Sequence, residues 1–250
     1  MSKRSIAELM NTPVDFIHDT DDELLSRFNI NYQIYKDIPV SRMTPRLIDA
    51  VIQGQIFDFA DRVPKTKWTK YFIECTVMVE DMRHLLDVAL VTEEMIDDMC
   101  IFGYDCLKYL PHNKHPYHQA FKAVREGIEW INYINPIFIK DIVGYVESSG
   151  DIRLGGFSRI KDALKLSIDE VILELNDRDI VQKGMADEKV KGFIRVWQYR
   201  LEALEPNEVI ARCVKLNAPE ALRHILGAQV AAASFPQAPK RQWITDDLGM

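Results

Sequence analysis

A recurrence of about 24 residues constrains this chain more than any other feature of its sequence. Pro39, Pro64, Pro111, Pro136 and Pro206 are separated by 25, 47, 25 and 70 residues, close to one, two, one and three units of that length. Flanking residues recur as well. Laying Met99–Leu110 (MCIFGYDCLKYL) over Ala123–Ile134 (AVREGIEWINYI), an offset of 24, brings Gly103 onto Gly127, Asp105 onto Glu129, Leu107 onto Ile131 and Tyr109 onto Tyr133. Looser copies place Asn31, Gly54 and Asn217 at the Gly103 position. Glycine and asparagine tolerate the left-handed backbone that commonly ends a helix, so this position reads as the turn of a helical hairpin.

The rest of the unit follows from local chemistry. Thr20, Thr44, Thr69, Thr92, Asp187 and Asn207 are candidate caps at the start of a first helix. Apolar groups at helical spacing follow: Leu24/Leu25/Phe28, Leu47/Ile48/Val51, Phe72/Ile73, Met95/Ile96/Met99 and Ala120/Phe121/Val124. A short second helix returns through Ile34/Ile38, Phe59/Val63, Leu85/Leu86, Leu107/Leu110 and Ile131/Ile134, and proline or a substitute ends the hairpin and starts the next. One such hairpin cannot bury its apolar faces alone; stacking on neighbours does so.

The expected fold class is therefore all-α: a right-handed solenoid of about eight or nine degenerate ~24-residue helical hairpins. Copies fall at 20–39, 43–64, 68–89, 91–111, 115–136, 138–159, 160–183, 185–206 and 207–227. Residues 1–19 read as an N-terminal cap, 20–228 as the solenoid and 229–250 as an extended C-terminal tail. Ser148-Ser149-Gly150 and Gly155-Gly156 suggest a bend near 147–158, and 160–175 (IKDALKLSIDEVILEL) reads as one longer helix.

Residues 91–136 carry a family resemblance through Thr92-Glu93-Glu94, Gly103, Leu107, Tyr109-Leu110-Pro111, Ala123-Val124, Gly127, Ile131 and Tyr133. The pattern, an acid-rich helix start followed by A-V-x-x-G-x-x-L-x-Y-h-P, resembles a short tandem repeat of unknown function found in effectors of intracellular bacteria and in large viruses. That family's motifs are structural. The resemblance implies a helical-repeat adaptor of viral, including phage, or bacterial origin, with a structural or host-modulating role and no catalytic residues to carry over.

Composition bounds the function. Hydrophobic residues at 47% and charged residues at 28% are ordinary for a globular protein. No run approaches the roughly 18 apolar residues of a membrane span, and the opening Met1-Ser2-Lys3-Arg4 leads into no apolar signal core. Cys75, Cys100, Cys106 and Cys213 show no C-x-x-C pairing, so reduced buried thiols in an intracellular, cytoplasmic protein are expected. The net charge of −7 resides in the first 110 residues, which hold 12 Lys/Arg against 19 Asp/Glu. An acidic surface repels a phosphate backbone and suits a basic protein partner.

Four groups of side chains are candidates for function. Asp21, Asp22 and Glu23, with Glu93, Glu94, Asp97 and Asp98, form acidic helix starts able to face a basic partner. His112, His115 and His118 hold half of the six histidines within seven residues, a weak candidate metal site whose 3-3 spacing across Pro116 fits no established zinc pattern. Residues 189–200 interleave basic and aromatic side chains, but Phe193, Val196, Trp197 and Leu201 make an ordinary apolar stripe, which argues against nucleic acid. In the tail, Lys240, Arg241, Trp243, Ile244 and Leu248 resemble a short linear anchor for another subunit or partner. No cofactor is expected. The favoured reading is a non-enzymatic interaction or assembly module; the alternative is an enzyme with its site near 147–158 or at His112/His115/His118.

Overall fold

The computed structural model describes residues 4–149 and 155–235. Every regular element among them is helical. The chain divides into two compact units at Pro116/Tyr117.

The first unit begins with α1 (Ile6–Asn11), closed by a capping box in which Ser5 and Glu8 satisfy each other's backbone N–H. A 24-residue pattern follows. Four helices, α2 (Asp21–Ile30), α3 (Pro45–Gln53), α4 (Lys70–Met78) and α5 (Glu93–Cys100), are capped by Thr20, Thr44, Thr69 and Thr92. Each hydroxyl accepts from the backbone N–H three residues on, supplying a partner that the first helical turn lacks. The returning limb departs from expectation. It is a 3-10 turn at Tyr32–Asp37, Phe57–Arg62 and Glu80–Leu85, and a single α-helical turn, α6 (Cys106–Tyr109), in the fourth copy. About six residues are too few for a stable α-helical limb, and the tighter 3-10 geometry spans the same path. A further 3-10 turn closes each copy, at Val40–Arg42, Lys65–Lys67, Val88–Leu90 and His112–Lys114.

Leu24, Leu47, Ile48, Phe59, Phe72 and Met82 form a core running from copy to copy. Leu85 and Leu86, expected inside, are only half-buried, and Met82 takes that place. Consecutive copies are also joined through polar groups. Arg42 Nη2 donates to Asp19 O at 2.7 Å, Lys67 Nζ to Met43 O at 3.0 Å and Lys114 Nζ to Val91 O at 3.1 Å. Each acceptor precedes a capping threonine, and each donor stands three residues after Pro39, Pro64 or Pro111. Leu90 holds the equivalent place in the third copy and cannot donate.

The second unit opens with the same order, α7 (Tyr117–Glu126) then a 3-10 turn at Ile128–Asn132. From α8 (Pro136–Ser148) onward the order changes. A 3-10 turn at Gly155–Phe157 leads into α9 (Ser158–Lys165), α10 (Ile168–Asn176), α11 (Arg178–Ala186) and α12 (Glu188–Glu202). The chain continues through α13 (Pro206–Lys215), α14 (Pro219–Leu226) and α15 (Ala228–Ser234). Residues 160–175 are two helices rather than one, because Ser167 and Glu170 form a capping box that starts α10 after the break at Leu166. α15 makes residues 229–234 of the expected extended tail helical, and Asn207 lies inside α13, whose first position is Pro206.

α12 organises this unit. It packs on the Ile128–Asn132 turn, α9 and α11, and Gly192 lets it approach so closely that a Cβ there would sit 2.5 Å from Ile128 O. Trp197 Nε1 donates to Ala163 O at 3.0 Å and Arg200 Nη1 to Leu166 O at 2.7 Å, fixing α12 to the end of α9. Such contacts skip over intervening elements, unlike a stack in which each repeat touches only its neighbours. Pro136 and Pro206, counted in the proline spacing, occupy the first helical positions of α8 and α13, starting an α-helix where Pro39, Pro64 and Pro111 start a 3-10 turn.

Candidate functional site

The left-handed turn expected at five positions is present at Gly103 (φ +137°) and Asn217 (φ +53°). Asn31, Gly54 and Gly127 have negative φ, and Gln55 carries the positive angle in the second copy. Gly103 has a visible consequence. At the end of α5, Ile101 N–H bonds to Asp98 O and Phe102 N–H to Met99 O, both at 3.2 Å, so the helix tightens before Gly103 redirects the chain. The turn holds Ile101 and Phe102 outward, 73% and 90% exposed.

Beside Phe102 lies a cavity of about 290 Å³ between α4 and α5, walled by Tyr71, Cys75, Met78, Val79 and Met99, with the Glu74 and Asp98 carboxylates at its edge. Asp98 also pairs with Lys70, whose ammonium lies 2.8 Å from Glu94 and 2.5 Å from Asp98, which holds it protonated well above the ordinary lysine range. Glu74 Oε1 is buried without a hydrogen-bond partner, and desolvation raises that carboxyl above its usual range. Desolvation also pushes the Tyr71 hydroxyl up to about 12. The result is an apolar slot lined in part by Glu74, one of whose carboxylate oxygens is buried without a hydrogen-bond partner among the described residues.

The acidic helix starts are placed differently from a bare charged face. Asp21 Oδ2 accepts from Thr44 Oγ1 at 2.5 Å, Asp22 pairs with Arg46, and Glu23 pairs with Arg4 at 2.8 Å. Arg4 and the Thr20 N–H hold the Glu23 carboxyl down at about 2. Glu93, Glu94, Asp97 and Asp98 lie on α5, where Lys70 bridges two of them across to α4. Much of the acidic charge therefore joins adjacent copies, with bases 24 residues away as in Asp22–Arg46 and Lys70–Glu94.

The His112 and His115 rings meet edge to face, their centroids 5.4 Å apart. His112 is in the last 3-10 turn of the first unit and His118 in the first turn of α7. The His115 ring is buried, with Nε2 3.0 Å from Leu110 O and Nδ1 without a hydrogen-bond partner. Burial lowers its pKa, favouring the neutral ring. Among the described residues no group of three or more His, Cys, Asp or Glu is arranged to hold a metal ion.

In α12, Val196, Trp197 and Leu201 are buried and Phe193 half-buried, so the aromatic stripe belongs to the core. Lys240, Arg241, Trp243, Ile244 and Leu248 lie outside the described residues, as does the 150–154 part of the expected bend. No helix among the described residues is long and apolar enough to cross a membrane. Sequence reasoning missed the slot beside Phe102. Its only signal was an apolar pair, Ile101-Phe102, placed directly before the turn glycine.

Comparison of the chain with protein-family models, with curated proteins and with solved structures gave no match.

Proposed function

We propose that this protein is a non-enzymatic protein-interaction module, with copies 20–116 forming successive turns of a right-handed helical-repeat solenoid. The observation that carries the reading is Phe102, 90% exposed on a fixed turn, next to an apolar slot lined in part by Glu74, whose Oε1 is buried without a hydrogen-bond partner among the described residues. Aromatic side chains on a rigid scaffold are common binding anchors. The slot fits a protein segment presenting an apolar side chain beside an N–H donor or cation. The resemblance in 91–136 supports a viral or bacterial setting, as a structural or host-modulating component. Lys240, Arg241, Trp243, Ile244 and Leu248 are proposed as a second anchor, for self-assembly or the same partner.

The test compares full-length wild type with Phe102→Asp and with a chain ending at 235, by light scattering for self-assembly and affinity capture for a partner. Phe102→Asp should lose self-association or capture while its urea midpoint stays within about 0.5 kcal/mol of wild type, as expected for an exposed site. Equal assembly and equal capture by the two proteins would remove the reading. Loss on truncation alone would move the anchor to the tail.

A further inference from the structure

Two of the four cysteines meet in the structure although they belong to different helices. Cys100 is the last residue of α5 and Cys106 the first of α6, and the intervening turn at Gly103 brings their sulfurs to 3.4 Å. Cys106 is fully buried and Cys100 is 8% exposed, so Cys100 is the side of the pair nearer to solvent. Cys75 stands in the wall of the slot beside Phe102 and Cys213 is buried on α13; burial raises both thiols, Cys213 to about 11. The Cys106 thiol is shifted the other way, chiefly by its hydrogen bond with Cys100 and secondarily by the Leu107 N–H.

We infer that Cys100 and Cys106 are a dithiol oxidation site for small hydroperoxides, closing to an intramolecular disulfide across the Gly103 turn. A disulfide bond is about 2.05 Å long, so the sulfurs must approach by about 1.4 Å, within reach of side-chain rotation in a turn that already faces them together.

The chemistry balances with hydrogen peroxide as oxidant. One proton leaves the pair and the remaining one lies between the two sulfurs 3.4 Å apart; the attacking form is the one in which that proton sits on Cys106 and the charge on Cys100, the sulfur nearer solvent. The Cys100 sulfur attacks a peroxide oxygen; the S–O bond forms, the O–O bond breaks, and the departing hydroxide takes the released proton as water. Cys106 then attacks the Cys100 sulfenic sulfur. The S–S bond forms, the S–O bond breaks, and the second hydroxide leaves with the Cys106 proton as water. Overall, two thiols and one peroxide give one disulfide and two waters. The ring formed encloses Ile101 and Phe102, fixing the exposed turn covalently.

The experiment treats the full-length folded chain with hydrogen peroxide, alkylates it under denaturing conditions and measures intact mass and disulfide-linked peptides. Alkylatable thiols should fall from four to two, with the link mapped to Cys100–Cys106 and reversed by dithiothreitol. Cys100→Ser and Cys106→Ser should each abolish the link and leave Cys75 and Cys213 alkylatable. Independent oxidation of single cysteines, a link to Cys75 or Cys213, an intermolecular link, or four unchanged thiols would each overturn the inference. The wild-type map decides even if a serine variant folds poorly.

Discussion

Removing the Arg27 guanidinium should release the N-terminal segment without unfolding the rest. Arg27 is 4% exposed. Its Nη1 donates to Leu9 O at 2.5 Å and Thr12 O at 2.9 Å, and its Nη2 to Thr12 Oγ1 at 3.0 Å and Pro13 O at 3.2 Å. Nε lies 2.9 Å from the buried Asp19 carboxylate, which Arg4 also meets at 2.5 Å. One side chain thus ties residues 9–19 to α2. Arg27→Met keeps most of the stem but leaves those acceptors unmatched and Asp19 dependent on the more exposed Arg4. Breaking a buried pair by deleting one partner costs about 3–5 kcal/mol, and the surviving Arg4 contact argues for the lower end. About 3 kcal/mol corresponds to roughly a 100-fold gain in local opening. Hydrogen exchange of the α1 amides should accelerate by that factor, with α4 and α12 unchanged. Arg27→Lys should fall between, since it keeps the charge but loses the planar fork. Unaltered exchange in residues 6–11 of Arg27→Met would refute the reasoning.

The basic links between copies yield a loss and a gain. Lys67→Met should cost about 1 kcal/mol through its lost bond to Met43 O, whereas Leu90→Lys, supplying the donor that the third copy lacks, should stabilise by about 0.5–1 kcal/mol; urea midpoints of both variants check this. His115 sets an acid limit. Its folded pKa lies below the unfolded value of about 6.5, so its contribution is full above that pH and is lost as pH falls toward the folded pKa. Stability measured between pH 7.5 and 5 should therefore fall less steeply in His115→Gln, which can still donate to Leu110 O, than in wild type; identical slopes would contradict this.

The parts of the fold legible in the sequence were those set by local chemistry. Threonines 20, 44, 69 and 92 cap helices because a hydroxyl before an apolar run meets the unpaired N–H groups of the first turn. Other features depend on partners distant in sequence. Proline at 39 or 64 starts a closing 3-10 turn, whereas proline at 136 or 206 starts an α-helix; spacing alone cannot separate the two. The basic link could have been found, because Arg42, Lys67 and Lys114 share the spacing of Pro39, Pro64 and Pro111. The role of α12 could not, since Gly192 beneath Ile128 O is a contact across 64 residues. The slot beside Phe102 likewise needs α4 and α5 side by side before Glu74 and Met99 acquire a common wall.

Site-specific photo-crosslinking tests the proposed interaction face most directly. A photoreactive residue is placed at 102 in the full-length chain, with a control at Met185, which is 81% exposed on α11. The account predicts a discrete protein adduct, to a partner or to a second copy, at 102 and not at 185, weakened by Glu74→Gln. The same diffuse labelling at both positions would contradict it.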